Sequence, residues 1–253
     1  MSDPPVLWRD LRRFTPARVA LGRVGAGLPT AAHLSFQADH AAARDAVHAP
    51  LDTDTLLADL RAAGLAGIAV HSACPDRPTY LRRPDLGRQL DQADRARLAG
   101  SPAPGRMAFV VCDGLSAVAA RRHAAPLLAL IVPALEPEGP IVVATQGRVA
   151  LGDDIGAALG ASAVAVLIGE RPGLSTPDGL GLYLTWAPRP GRTDAERNCL
   201  SNIRPEGMPV AEAARKLIWL ATEMRRLRLT GVALKEEAPA LPAQDRFTSV
   251  PST

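Results

Sequence analysis

An α/β fold with a mostly parallel sheet is predicted for this chain, and three stretches predict it. Met107–Cys112 (MAFVVC), Ile141–Thr145 (IVVAT) and Ala163–Gly169 (AVAVLIG) are apolar runs of strand length without polar alternation. Strands buried on both faces read this way. Helical lengths lie between them, as crossovers between parallel strands require. Ala163–Gly169 ends on the charged turn GERPG. Open α/β sheets collect ligands at the carboxyl ends of their strands, so Glu170 stands where a ligand contact is expected.

Taken in order, residues 6–24 hold a short amphipathic segment broken by Pro16, with too few apolar residues for a core of their own. It is either an arm that docks on something or a frayed terminus. Gly22–Gly27 (GRVGAG) lacks the Lys-Ser/Thr that completes a phosphate loop and follows no strand, so a plain turn is expected. Leu28–Ala49 predicts a helix with Pro29 near its first turn. His33, Gln37, His40, Arg44 and His48 recur there at three- and four-residue spacing and share one face. Without H-E-x-x-H, that face reads as an interface or a solvated stripe ahead of a metal site.

Beyond Leu51 the alternation is regular. Asp52–Ala63 and Pro84–Leu98 are expected helices around a strand at Gly67–Ser72. Leu115–Leu135 is a helical stretch interrupted by prolines, and Asp153–Leu159 a short helix. Leu180–Ala187 continues the sheet, and RNCLSNIRPEG, with Cys199, reads as a loop after it. Val210–Leu227 is a strong helix with Val210, Ala213, Leu217, Leu220, Met224 and Leu227 on its apolar face, started by Pro209. Val232–Leu234 is a candidate edge strand, and the Pro-rich tail from Glu236 is expected to be loose. The divisions are 1–50, 51–235 and 236–253.

Composition narrows function. Apolar residues make up 47% of the 253, enough for a full core. The longest apolar run, near Ala124–Leu135, is too short and proline-broken to span a bilayer, and no charged and apolar leader opens the chain. A cytoplasmic protein is expected, with no membrane partner. Net charge is +3, and the basic residues form no run that argues for nucleic acid. Cys74, Cys112 and Cys199 are far apart and predict neither a disulfide framework nor zinc.

Searches for catalytic patterns fail. Around Ser116 and Ser175, Val118 and Pro177 stand where a nucleophile elbow needs glycine. His71 and His123 lack an obvious partner and read as core or surface residues. Asp113 and Ser116 (DGLSA) are candidates to cap the next helix or to touch a ligand. Cys199 reads as a packing or ligand-contact residue, because no histidine lies within fifty residues of it.

Four blocks carry a resemblance: LGRVGAGLPTAAHLSFQADHAAARDAVH (to His48), HSACPDRPTYLRRPDLGR (His71–Arg88), LIGERPGLSTPDGLGLY (Leu167–Tyr183) and RNCLSNIRPEG (Arg197–Gly207). Together they resemble the small, or light, subunit of ethanolamine ammonia-lyase, from about Arg9 to Leu234. The resemblance implies a Rossmann-like core with a helical N-terminal arm. It also implies adenosylcobalamin as cofactor, ethanolamine converted to acetaldehyde and ammonia, and a TIM-barrel large subunit holding substrate and most catalytic groups. Pairs of large–small heterodimers would gather in threes, in the cytoplasm, inside a bacterial microcompartment or free of one. The implied corrinoid contacts are Val149 (before LGDDIG), Glu170 (of GERPG) and Cys199 (of RNCLSNI). No residue of this chain is assigned to the radical step. No D-x-H-x-x-G occurs, so the cofactor is expected base-on. Residues 51–235 would then be the corrinoid-contacting domain and 1–50 the docking arm. The rivals are a free-standing nucleotide-binding α/β enzyme, which should show a glycine fingerprint, and a non-catalytic microcompartment interaction protein, which needs no ligand loops.

Overall fold

The computed structural model describes residues 8, 10–15, 17–135 and 139–237. The predicted break at Pro16 and nearly all of the tail lie outside them. Six strands form one sheet: β1 (Gly67–His71), β2 (Met107–Cys112), β3 (Ile141–Thr145), β4 (Ala163–Gly169), β5 (Leu180–Trp186) and β6 (Asn198–Ile203). Their order across the sheet is β1-β3-β2-β4-β5-β6, with the first four parallel and the last two antiparallel. The three uninterrupted apolar runs take the inner places, and every residue of β2 and β4 is buried.

Among the described residues, seven α-helices accompany the sheet: α1 (Thr30–His48), α2 (Thr53–Ala62), α3 (Arg77–Arg82), α4 (Gln92–Ala99), α5 (Ala117–Ile131), α6 (Leu151–Leu159) and α7 (Val210–Leu227). Strand alternation splits the core in two. Odd-numbered β4 residues (Ala163, Ala165, Leu167) face a layer of α2, α5 and α7, while Val164, Val166 and Ile168 face α4 and α6. The steps β1 to β2 and β3 to β4 run one way across the sheet through the second layer, and β2 to β3 returns through the first. Crossovers of one hand demand that arrangement. Pro126 sits inside α5 and forfeits a helical hydrogen bond worth, with its steric cost, about 3 kcal/mol. Nine of the fifteen residues of α5 are buried, so packing outweighs that loss.

The predicted boundaries hold where periodicity is strong, as in β2, β3, β4 and α7. The ends of the α7 face do not hold: Val210 is half-buried and Leu227 is exposed. Three expectations are corrected. Pro84–Leu98 is no continuous helix: a 3-10 turn at Leu86–Arg88 precedes α4, whose N-cap Asp91 accepts from Ala93 and Asp94. Asp91 there competes with helix interior geometry and begins a new helix. The stretch around Cys199 is strand β6, because alternate Leu200 and Ile203 enter the core while Cys199 and Ser201 stay outside. Val232–Leu234 is no strand but part of a 3-10 turn at Gly231–Ala233. Asn198 holds that turn against β6, donating to the Leu234 carbonyl at 2.7 Å and accepting from the Gly231 amide at 2.8 Å. The GRVGAG turn is as expected, closed by paired Val24 and Gly27 backbone bonds of 3.0 Å.

The helix α1 buries only Ala46, so its imidazole stripe is solvated in this chain, with His33 bonded to Gln37 at 3.0 Å. No group of three metal-ligating side chains exists among the described residues. Seven of the eleven exposed large apolar residues, among them Phe14, Leu34 and Phe36, precede residue 37. No helix among the described residues is long and apolar enough to cross a membrane.

At the entry to β6, Glu196 accepts from the Thr193 amide at 2.7 Å and pairs with Arg192. The Thr193 hydrogen bonds and then Arg192 bring its carboxyl down from 4.5 to about 2. A depressed carboxyl stabilises the folded turn at pH above 4.5, and that contribution is lost as pH falls toward 2. A carbon-detected NMR titration of Glu196 is therefore expected to centre near 2, and a midpoint at the ordinary 4.5 contradicts this capping arrangement.

Candidate functional site

The β4 alternation that points Val164, Val166 and Ile168 into the second layer carries Glu170 to the same side. On that side α6 covers β4, and the outward residues of β6 are open: Cys199, Ser201 and Asn202 are all exposed. A polar shelf results at the carboxyl edge of the sheet, beside the start of α6.

Glu170 lies back over this shelf. Its amide donates to the Gly179 carbonyl at 2.9 Å, closing the β4–β5 loop. Its side chain passes over Gly181, where an added Cβ would come within 3.1 Å of Oε1 and 3.3 Å of the Tyr183 ring. Gly181 thus leaves the carboxylate room to lie flat. The amide of Asn202 donates to Oε1 at 3.0 Å. That amide is available because β6 is bulged: Leu182 pairs with Leu200 but Leu180 with Ile203, and Asn202 takes φ 57. A bulge turns a backbone group out of the ladder and re-aims it, here onto a carboxylate. With Oε1 engaged, Oε2 is the acceptor left toward the open side.

Cys199 pairs across the ladder with Tyr183. Desolvation against the strand surface pushes the Cys199 thiol up, the neighbouring Tyr183 hydroxyl opposes this, and the Glu170 and Asp194 carboxylates add to the rise. A thiol so placed stays protonated at neutral pH and is a poor nucleophile. Burial first, and then the neighbouring cysteine, also push the Tyr183 hydroxyl upward, so it remains a neutral donor.

Val149 arrives from the end of β3. Gln146 turns the chain with φ 56, and Gly147 follows with its amide on Asp113 at 3.1 Å. The buried Tyr80 of α3 donates its hydroxyl to the Gly147 carbonyl at 2.9 Å. Its ring lies between the guanidinium groups of Arg77 and Arg148, at 4.7 and 4.3 Å. The Arg148 amide donates to Gly87 at 2.7 Å. Held this way, Val149 packs half-buried on the second core layer, as Tyr183 does. Helix α6 is fixed in turn by a bidentate pair, Arg197 to Asp153 at 2.7 and 2.6 Å, with both side chains 1% exposed. Burial raises the Asp153 carboxyl and Arg197 pulls it the other way.

The three predicted residues therefore stand on one side of the sheet around β4, β5 and β6. Of the other candidates, Ser116 caps α5 through the Ala119 amide at 3.2 Å. Asp113 does not cap. It is buried, paired with Arg77 at 2.9 Å, and burial raises its carboxyl against that partner. His71 bonds Thr145 Oγ1 at 2.7 Å, and His123 is buried on α5. Sequence reading missed Tyr183 and Asn202. The alternation of GLGLY puts Tyr183 on the face of Gly181, so it was findable, whereas nothing in NCLSNI announces a bulge. Two surface depressions, beside Arg121 and Pro126 and beside Leu130 and Ile218, contain none of the three predicted residues.

Fold and site define an α/β protein with a mixed, mostly parallel sheet and a polar shelf open along one side of its carboxyl edge. The profile of the family described as ethanolamine ammonia-lyase light chain matches residues 6–235. The chain belongs to that family. It is 57% identical over 239 residues to an ethanolamine ammonia-lyase small subunit of Azotobacter vinelandii, covering 91% of this chain and 88% of the relative. The small subunit of Ralstonia nicotianae is 56% identical, with 94% and 92% covered. That of Bradyrhizobium diazoefficiens is 55% identical, with 99% and 100% covered.

Proposed function

We propose that this chain completes the adenosylcobalamin site of an ethanolamine ammonia-lyase, closing over the corrin ring while a large subunit holds ethanolamine. The observation that carries this reading is Glu170: a carboxylate laid over glycine on an uncovered shelf, one oxygen fixed by the Asn202 amide and the other open. The corrin rim bears carboxamide groups whose N–H donors need acceptors, and Glu170 Oε2 is one. Cys199 and Val149 add soft and apolar surface beside it, and the Tyr183 hydroxyl is a further polar group. The shelf fits a broad, flat ligand with polar edges better than a small molecule that must be enclosed. When bound, adenosylcobalamin supplies the radical chemistry, through homolysis of its Co–C bond, that takes ethanolamine to acetaldehyde and ammonia. This chain's part is to bind, orient and exclude water. None of its residues is assigned to the reaction itself.

The rest of the reading follows the same division. The arm of residues 1–50, with its exposed apolar side chains, docks on the large subunit. Residues 51–235 form a Rossmann-like corrinoid domain. Heterodimers pair and gather in threes, in the cytoplasm or within a microcompartment, with the cofactor base-on. A free-standing nucleotide enzyme is disfavoured because GRVGAG precedes α1 with no strand before it among the described residues.

Glu170→Ala, assembled with the large subunit and titrated with cyanocobalamin by absorbance, is expected to bind about 10- to 100-fold more weakly, the worth of a charge-assisted hydrogen bond. The Michaelis constant for ethanolamine should change far less. A larger effect on ethanolamine than on the corrinoid overturns the placement.

A further inference from the structure

The loop that carries Glu170 is tied to the first turns of α5 by groups the corrinoid reading does not use. The Ser116 hydroxyl donates to the Pro177 carbonyl at 2.8 Å. Arg122 Nη1 meets Asp178 Oδ2 at 2.7 Å. His123 is buried, its Nε2 makes no hydrogen bond, and it stands 3.8 Å from the same Asp178 oxygen. Asp178 itself is only 16% exposed and directly precedes Gly179, whose carbonyl receives the Glu170 amide. One carboxylate thus gathers a cation and a buried imidazole at the closing end of the loop.

We propose that Asp178 is the positioning residue for Glu170: anchored by Arg122 and His123, it fixes the closing end of the β4–β5 loop and so the height at which the Glu170 carboxylate lies over Gly179 and Gly181. This rests on the corrinoid reading of Glu170. Asp178 faces α5, on the side of the sheet away from the shelf, and acts only through the loop. Loosening it lets the Gly179 carbonyl drift, and the Glu170 backbone drifts with it.

The test is a cyanocobalamin titration of the small–large complex, with the ethanolamine Michaelis constant measured alongside. Asp178→Asn is expected to weaken corrinoid binding about tenfold, the usual effect of removing a group that orients a ligand contact. The Michaelis constant for ethanolamine stays put, and Asp178→Glu recovers part of the loss. In the Glu170→Ala background, Asp178→Asn adds less than about twofold, because a shared contact can be lost only once. Full affinity in Asp178→Asn beside a clear loss in Glu170→Ala overturns this proposal alone, as do losses that multiply in the double variant. An unchanged affinity in Glu170→Ala overturns the corrinoid reading and this inference with it. Arg122→Gln, at a side chain 61% exposed, keeps the fold if Asp178→Asn does not. It should weaken binding about threefold, the range of a partly exposed ion pair, and no change there counts against the proposal.

Discussion

Purified alone and given ethanolamine and adenosylcobalamin, the chain is expected to release no ammonia. Activity emerges only when the large subunit is added. The reason lies in what the shelf lacks. Its carboxylate is already engaged by a backbone amide, its thiol is held protonated, and its tyrosine hydroxyl is pushed further toward the neutral form. Neither the thiol nor the hydroxyl is a base poised near neutrality, which proton transfer at pH 7 requires. The shelf is also open to solvent along its whole outer side, and reactive intermediates need exclusion of water. In the function proposed above, a second chain supplies the lid and the reacting groups. An ammonia assay on the isolated chain, then on the reconstituted complex, decides the matter. Turnover by the isolated chain would refute the division of labour.

Asp153→Ala is the substitution with the largest expected cost to stability, about 3–5 kcal/mol, because it strands a buried guanidinium without its buried counter-charge. The pair is bidentate and both side chains are 1% exposed, so water cannot replace the lost carboxylate. Arg197 would keep Thr185 Oγ1 and the Arg192 carbonyl, both at 3.0 Å, and as an ion partner the solvent-exposed Asp194 at 3.5 Å. Urea unfolding of the chain measures this. The double variant Asp153→Leu/Arg197→Met should lose less than either single one, because it leaves no orphaned charge. A single-variant loss under about 1 kcal/mol, the value of an exposed pair, would show that the bridge is not dry. The same variant tests a link to function, since the pair joins the helix after Val149 to the strand that carries Cys199.

What the sequence made legible follows from what periodicity can encode. β2, β3 and β4 were readable because strands apolar on both faces leave an uninterrupted run, and α7 because one apolar stripe repeats over five turns. Glu170 was readable as the charged residue that ends such a run. The residue types of Val149 and Cys199 say little on their own: Cys199 read as a packing or ligand-contact residue, and only the resemblance singled out Val149. β6 was read as a loop because Cys199, Ser201 and Asn202 are polar or small on its open face and Asn198 is polar on the other, leaving Leu200 and Ile203 to carry the pattern. The bulge then breaks even that spacing. The antiparallel turn of β5 is equally silent locally, since strand direction is set by the length of the connection and not by the strand.

The clasp of Asn198 on the 3-10 turn after α7 bears on self-association. β6 is the last strand, and a bare strand margin offers unpaired amides and carbonyls as a template for another chain. Here a side-chain amide imitates a neighbouring backbone at one end, gripping Gly231 and Leu234, while the Ile203–Met208 bridge closes the other. Growth of the sheet by recruiting foreign strands is thereby discouraged, and a neighbour is left to approach face-on, over the flat of the last two strands.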